Sequence, residues 1–551
     1  YLQVGRLSPK TVSWLDAAFR AGRVTTAEVV ITGPTRGFPY REGEGLFRVR
    51  GHAEGVGLHV ATGWPELRDV EADFGFDGPA LNAVASSGSF GGVPFTDAEI
   101  NSGDLREAVF AARASTRTDA GRALRMLQGT PLAPSFGALF AGLAGAGPVQ
   151  ADVALFLPIK EFDRRVVTVM AELDGVTLRT RQQPVEASGV RGTLWVRNRE
   201  IEAPALTGRV LGGPFDASIT TATQAGGALR TRIDARGSLQ GASLAPLARM
   251  PVNAGLAGTA EWQGTLEVLR DADPKRPARG SVRLSSDLRG LASALPEPFA
   301  KPADVARPLA LAATFDGESG PRIEGSLGRD VRALLQLSRT AGGAPIDRGI
   351  VMFGGAAPDA LPAGAGLWLA GRLKAASLTK VLDLQWSGPR GRPLEEWLAG
   401  ADLSVARMEA LGFEFADVSG RLRPGNRAWD VTASGEGIAG RIVVPFSFPG
   451  EVPLVLDLER LTLGARAAGA VERPDPDPRR LPAIHADIRN LVFDARSFGH
   501  LRAELARGTD GMTLNRFTME HPAFTAEGRG SWLVRGDAAA DQEVAHAVGP
   551  R

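Results

Sequence analysis

The sequence predicts a mainly β protein: an elongated, curled antiparallel sheet that forms a hydrophobic groove, repeat-like in construction, with a few short helices. Three observations predict it. The stretch from Trp64 to Ile100 alternates in its first half, with Val70, Ala72, Phe74 and Phe76 on one side and Asp69, Glu71, Asp73 and Asp77 on the other, as a half-buried strand does. The stretch recurs at an offset of 120 residues, so that Val70 falls on Val190, Phe74 on Leu194, Phe76 on Val196 and Leu81 on Ile201. Gly88 falls on Gly208, Gly92 on Gly212 and Pro94-Phe95 on Pro214-Phe215. A fainter third copy begins at Val418, where Val418, Gly420 and Leu422 match Val190, Gly192 and Leu194, and Trp429 and Gly440 fall where Ile201 and Gly212 do. Third, 68 glycines and 37 prolines suit many short strands joined by turns. A strand-turn-strand module at long spacing argues for extended β architecture rather than one globule.

Composition bounds the function classes. A chain of 551 residues would ordinarily make three or four domains, but repeat proteins escape that count because each unit touches only its neighbours. Lys and Arg total 63 against 62 Asp and Glu, so no electrostatic footprint for nucleic acid is visible. Cysteine is absent, which removes disulfides, Cys-ligated zinc and thiol catalysis and is compatible with an oxidising compartment. No run approaches the roughly 18 apolar residues of a membrane helix. The most apolar segment, residues 136–149, is broken by Gly137, Gly142, Gly145, Gly147 and Pro148. Tyr1 follows no initiator Met or signal-like segment, so the chain reads as an internal piece of something longer.

In order, Ser8-Pro9 reads as an N-cap with proline at the first helical position, followed by Val12, Leu15 and Phe19 on one face until Gly22 ends the helix. Strands are expected at Ala27 to Thr32, Leu46 to Arg50 and Gly57 to Ala61, the first two joined by a turn at Gly37-Phe38-Pro39-Tyr40. Thr118 to Gln128 and Ser135 to Leu143 read as amphipathic helices that cap or plug a sheet, split by Thr130-Pro131. Alternation returns with Val153, Leu155 and Leu157, then Val167, Val169, Ala171 and Leu173, across a polar turn at Lys160 to Arg165. Val166 and Met170 on the other face suggest a strand covered on both sides. Strands continue at Leu229 to Ile233 and Gly258 to Leu269, and Asp271 to Arg279 is a charged surface loop. Further strands are expected at Ser281 to Leu288, Leu309 to Phe315, Ala333 to Ser338, Gly349 to Phe353 and Leu367 to Leu373, with a short helix at Ser377 to Leu384. Leu454, Leu456 and Leu458, then Ile484, Ala486 and Ile488, restore the alternation around a rigid loop at Pro474 to Pro478. The resulting segments are 1–150, an N-terminal groove with short helices; 151–270, a second repeat; 271–400, a middle β segment; 401–536, a C-terminal groove; and 537–551, a frayed tail.

Enzyme chemistry finds no foothold, and no catalytic, cofactor or metal residues are assigned. Gly435 to Gly440 matches G-x-G-x-x-G, yet a strand leading to Pro445 follows where a phosphate site needs a helix N-terminus. His52, His59, His485, His500, His521 and His546 are scattered, and His485 sits on the polar side of its strand. Asp475 and Asp477 lie in a proline-locked loop that lacks a calcium site's glycine and further oxygens. Trp64, Trp195, Trp429 and Trp532 are read first as packing residues and second as interfacial ones.

Several stretches stand in a telling order: Tyr1-Leu2-Gln3-Val4 with the helix through Trp14-Leu15, then Phe38-Pro39-Tyr40, then Trp64-Pro65-Glu66-Leu67. Leu458-Glu459-Arg460-Leu461-Thr462-Leu463 and Asp477-Pro478-Arg479-Arg480-Leu481-Pro482, leading into Ile488 and Leu491, complete it. In these, to about Gly536, the chain resembles the AsmA-like envelope proteins and among them the large YhdP-type members, as an internal fragment of one. The resemblance implies a protein of the Gram-negative periplasm whose full length is anchored in the inner membrane. It implies a long β-groove that helps carry phospholipid towards the outer membrane, meeting membrane surfaces or proteins at its two ends. The residues themselves fit such a conduit. Strands of roughly 6 residues would give a sheet about 20 Å across, and about 30 of them a body on the order of 140 Å long. Val70, Phe74, Phe76, Val153, Leu155, Leu157, Val167, Val169 and Leu173 are assigned to the groove lining, with Leu194, Val196, Leu454, Leu456, Leu458, Ile484 and Ile488. Two other readings stand beside it: a structural or adhesive β-solenoid with a filled core, and a glycan-acting envelope enzyme, which would need convergent carboxylates in a cleft.

Overall fold

The computed structural model describes residues 17–34, 36–59, 63–130, 142–180, 185–247, 254–273, 276–338, 346–382, 384, 394–410, 412–447, 451–464 and 478–533. Thirty strands lie among them, and the three α-helices wholly inside them are short. The chain divides into two compact units, one of Tyr1–Ser243, Glu261–Leu284 and Asp316–Glu318, the other of Leu244–Ala260, Ser285–Phe315 and Ser319–Arg551.

The first unit opens with β1 (Phe19–Thr32), β2 (Leu46–Leu58), β3 (Leu67–Asp77), β4 (Ala80–Phe90), β5 (Val93–Ser102) and β6 (Val109–Asp119), each antiparallel to the last. Helix α1 (Ala120–Gln128) and the short β7 (Leu143–Ala146) then leave the sheet's order, and β6 pairs with β8 (Pro148–Pro158). The antiparallel meander resumes through β9 (Val166–Thr180), β10 (Glu186–Arg197), β11 (Glu200–Val210), β12 (Gly213–Thr223) and β13 (Leu229–Gln240). Helix α2 (Gly241–Leu247), β14 (Ala257–Arg270) and β15 (Arg279–Ser286) follow, and both strands contribute residues to each unit.

The second unit continues with β16 (Leu291–Ala292), β17 (Leu309–Phe315), β18 (Arg322–Leu327), β19 (Val331–Leu337) and β20 (Ile346–Phe353). Then come β21 (Gly366–Ser377), helix α3 (Leu378–Leu382), β22 (Leu398–Ala410), β23 (Phe413–Pro424), β24 (Ala428–Ser434), β25 (Ile438–Pro445) and β26 (Leu454–Leu463). The last four strands are β27 (Ile484–Phe493), β28 (Arg496–Arg507), β29 (Gly511–His521) and β30 (Phe524–Leu533). Pairing from β17 onward is antiparallel except for β20 with β21, β21 with β22 and β26 with β27. Parallel neighbours need a crossover chain. Helix α3 lies in one such crossover.

The repeat is larger than the stretch from Trp64 to Ile100. β2, β4, β5 and β6 begin at Leu46, Ala80, Val93 and Val109; β9, β11, β12 and β13 begin at Val166, Glu200, Gly213 and Leu229, each 120 residues on. The registers repeat as well, since Val49 pairs with Phe76 and Val169 with Val196. Gly92 and Gly212 turn their hairpins at φ 78° and 80°, a conformation glycine adopts without steric cost. Gly88 and Gly208 serve a close approach instead: a Cβ would lie 2.5 Å from the Phe95 ring in one and 2.9 Å from the Phe215 ring in the other. The third copy is partial. Val418, Gly420 and Leu422 lie in β23 and Trp429 in β24, but Gly440 is inside β25 rather than at a turn.

Register shifts recur across neighbouring strands, at Ala53/Val56 in β2, Arg68/Glu71 in β3, Ala187/Val190 in β10 and Ala203/Leu206 in β11. Each such bulge bends its strand and tightens the twist. A row of them curls the sheet toward one face.

Several local expectations change. Phe19 to Gly22 is not a helix end: Phe19 pairs with Leu58 and Ala21 with Gly57, so sheet pairing takes over directly after Ala18. The Ser8-Pro9 start lies outside the described residues. The strands expected at Leu46 to Arg50 and from Gly57 are one strand, because a bulge before Val56 takes up Gly55 while Gly51 and Gly57 stay paired, with Phe74 and Ala21. Helix α1 starts at Ala120, where Asp119 accepts hydrogen bonds from the backbone N–H of Gly121 (2.9 Å) and Arg122 (3.2 Å). Leu143 begins β7, while 135–141 of the helix expected there fall outside the described residues, as do 474–477 and the tail after 536. Strands are also longer than the expected half-dozen residues. β9 has 15, about 50 Å at 3.3 Å per residue.

One edge of the first unit is braced by charge. Arg41, in the β1–β2 loop, donates two hydrogen bonds to Asp104, in the β5–β6 loop, at 2.7 and 3.0 Å, and the Arg106 N–H donates a third at 2.7 Å. The Arg41 contact, joined by that N–H, holds the Asp104 carboxyl down to about 2. A depressed folded-state pKa stabilises above the unfolded value and is lost as pH falls through the folded one. Asp104→Asn is expected to cost roughly 1 kcal/mol at pH 7 after solvent screening. In thermal unfolding, the difference from wild type narrows as pH drops from about 4 toward 2.

Candidate functional site

Within each unit, cross-strand pairing sets apolar residues side by side on one face. In the first unit Val153 pairs with Val169 and Val169 with Val196, so β8, β9 and β10 align three valines. Leu155 lies opposite Val167, Leu157 opposite Phe110, Leu173 opposite Val149 and Leu194 opposite Ala171. Two clusters form from these. One holds buried Val149, Ala151, Ala171, Val176 and Val190, with Val169, Leu173, Leu194 and Phe215 packed on it. The other is centred on Val196 and Ile201, with Val169, Leu194 and Ile219 around them. On β3, Phe74 and Phe76 have ring centroids 6.4 Å apart, and Phe47 stacks on Phe76 at 6.5 Å. Val70 Cγ2 would lie 3.0 Å from a Cβ on Gly88, beside the Phe95 ring.

In the second unit Leu454, Leu456 and Leu458 lie opposite Ile484, Ala486 and Ile488 in parallel register. Leu458 and Ile488 share a cluster with Phe415, Val418, Ala433 and Ile438, and Leu456 packs against it. Two further clusters escaped the sequence assignment: Val331, Phe353, Leu373 and Val405, and then Leu367, Leu398 and Trp429. The strands at Gly349 to Phe353 and Leu367 to Leu373 were expected, and the same alternation that marked Leu456 would have marked Leu367, Leu369 and Leu373; β22, which carries Leu398 and Val405, was not.

Of the sixteen assigned positions, Val167, Val196, Leu458 and Ile488 are buried, and the other twelve are half-buried. Full burial is expected of an apolar face closed by a second layer. This face is partly open. Helix α1 covers one part of it, since Ala120 joins the Val149 cluster and Leu127 packs against Val196 and Ile201.

In each unit the opposite face is a ladder of charge. Asp69, Glu71, Asp73 and Asp77 are exposed. Asp77 takes Arg48 at 2.9 Å and Arg50 at 2.6 Å, and the hydrogen bonds of Arg50 and then Arg48 lower its pKa. His52 lies 2.8 Å from Asp73, whose hydrogen bond raises the imidazole pKa. Arg191 with Asp174, Arg421 with Asp402 and Arg489 with Asp457 repeat the motif at 3.1, 2.9 and 3.2 Å. Exposed pairs of this kind add little stability each. They keep this face hydrated. Val166 and Met170 are half-buried there, with Met170 opposite Trp195, which is exposed.

Gly435 to Gly440 spans the β24–β25 turn and runs into a strand, as read from the sequence. His485 is exposed, and His500 lies 2.6 Å from Asp487. Among the described residues no group of three or more His, Asp or Glu is placed to hold a metal, and no helix is long and apolar enough to cross a membrane.

The open and closed parts of the face should respond differently to truncation. Leu458→Ala, at 1% exposure, is expected to cost about 2–5 kcal/mol in denaturant unfolding. Leu456→Ala, half-buried two residues away on the same face, is expected to cost less than about half as much, because part of its side chain is already solvated.

Comparison with known proteins gives the following. The family described as YhdP protein matches residues 1–543. The Intermembrane phospholipid transporter YhdP of Escherichia coli (strain K12) is 25% identical over 322 residues, which cover 58% of this chain and 24% of that protein. The match thus spans about a quarter of that relative's length. No solved structure matches.

Proposed function

This chain belongs to the YhdP family, and we propose that it binds phospholipid acyl chains on its apolar face as part of a conduit between the inner and outer membranes of a Gram-negative envelope. The observation that carries this reading is the half-open state of that face, where Phe74, Leu194 and Leu456 remain half-buried although paired in register with apolar neighbours. The relative's activity as a phospholipid transporter supports the choice of cargo. On this reading the conduit crosses the periplasm and meets membrane surfaces or proteins at its ends.

The physical mechanism needs no catalytic residue. Leaving the face for water exposes an acyl chain at about 0.8 kcal/mol per methylene, so a chain of ~16 carbons loses on the order of 10 kcal/mol. Moving to the next strand, about 4.8 Å away, exchanges one apolar contact for another at nearly equal free energy. Travel across successive strands is therefore favoured over escape.

A photoreactive amino acid at Phe74, Leu194 or Leu456 is expected to crosslink phospholipid in cells, and one at Asp73 to give background. Equal labelling at Asp73 and the three inward positions would sink the proposal.

A further inference from the structure

Arg270, the last residue of β14, is 3% exposed, yet its Nε and Nη1 have no hydrogen-bond partner. Its Nη2 donates to the Arg199 carbonyl (2.5 Å) and to Oγ1 of Thr231 (3.0 Å), itself 1% exposed. Arg199, half-buried in the β10–β11 turn, answers by donating to the carbonyls of Asp271 (2.5 Å) and Ala272 (3.2 Å), and its buried Nε is also unpartnered. Two guanidinium groups thus share one corner of the first unit. No carboxylate bonds either of them among the described residues. Nearby acids are engaged elsewhere, Asp271 by Arg276 at 3.3 Å and Glu200 by the Thr223 hydroxyl at 3.0 Å. Burial, with the Arg199 charge adding to it, brings Arg270 down to about 10, still protonated at neutral pH.

Buried charges are ordinarily paired, and an uncompensated one is strongly unfavourable. The fold does not demand these residues. In the first copy of the repeat, the positions 120 residues earlier than Arg199 and Thr231 are Pro79 and Ala111. What the corner lacks is an anion able to accept several N–H groups at once, and planar guanidinium forks match phosphate oxygens.

We propose that Arg199 and Arg270 form an oxyanion site that takes a phosphate group. Free phosphate and the phosphodiester of a phospholipid headgroup share this chemistry. The lipid source rests on the function proposed above, whereas the site itself does not.

The test is thermal unfolding of the whole chain in inorganic phosphate against chloride at matched ionic strength. Phosphate is expected to raise the wild-type midpoint saturably. Arg199→Gln, at a turn where folding should survive, is expected to weaken the apparent affinity by about tenfold or more, and Arg270→Met to abolish the response. Equal midpoints in phosphate and chloride, or an Arg199→Gln variant that responds as wild type does, would overturn the site. Dihexanoyl phosphatidylglycerol below its micelle concentration is the second probe. Displacement of phosphate by it supports the headgroup as the source, and failure to displace overturns the lipid source alone. Acyl crosslinking at Leu194 in Arg199→Gln reads the apolar face independently, so loss of one function is separable from loss of the other.

Discussion

Val49 pairs with Phe76 and, one repeat later, Val169 pairs with Val196, and on these registers depends which side of each sheet is dry. Side chains alternate with a period of two, so a slip by one residue would carry Phe74 and Phe76 to the water side and Asp73 and Asp77 to the apolar one. The bulges at Gly55 and its counterpart Gly175, both at positive φ, shift the pairing without letting the faces exchange. The same bulges supply the curl. Registration and curvature therefore come from one device.

The two faces are held by different physics. Apolar pairs such as Leu458 with Ile488 exclude water where they are buried, and leave area available where, as at Leu456, they are only half covered. On the other side, pairs such as Arg48 and Arg50 with Asp77 contribute little net energy but set a polarity that a neighbouring strand cannot invert without desolvating charge. Helix α1 modulates the dry side, pressing Leu127 onto Val196 and Ile201. Where it sits, the face is closed. Membership of the YhdP family gives this division of faces a biological setting, and the corner at Arg199 and Arg270 adds a concentration of positive charge with no carboxylate partner among the described residues.

Much of the fold was legible because strand alternation is a local signal. Phe74, Leu194 and Leu456 announce their side of the sheet through their immediate neighbours. Glycine hid other elements: β2 read as two strands because Gly51, Gly55 and Gly57 interrupt its pattern, and only pairing with β1 and β3 shows it whole. Phe19 read as helical because it continues the spacing of Val12 and Leu15, whereas its partner is Leu58, distant in sequence. The repeat was read over three strands and is five strands and a helix long: β2 and β9 share Val49/Val169, Gly55/Gly175, Val56/Val176 and Leu58/Leu178, whereas β6 and β13 keep the spacing but not the residues.

By itself, the sequence determined the mainly β class, the 120-residue repeat, the identity of the apolar and charged faces and the family resemblance, all of which reside in short-range pattern. Tertiary structure alone decided which strands run parallel, where α1 lies, how far each lining residue is buried and that Arg199 meets Arg270. Those depend on pairing between residues tens of positions apart, and one chain's local pattern carries no record of which distant strand will stand beside it.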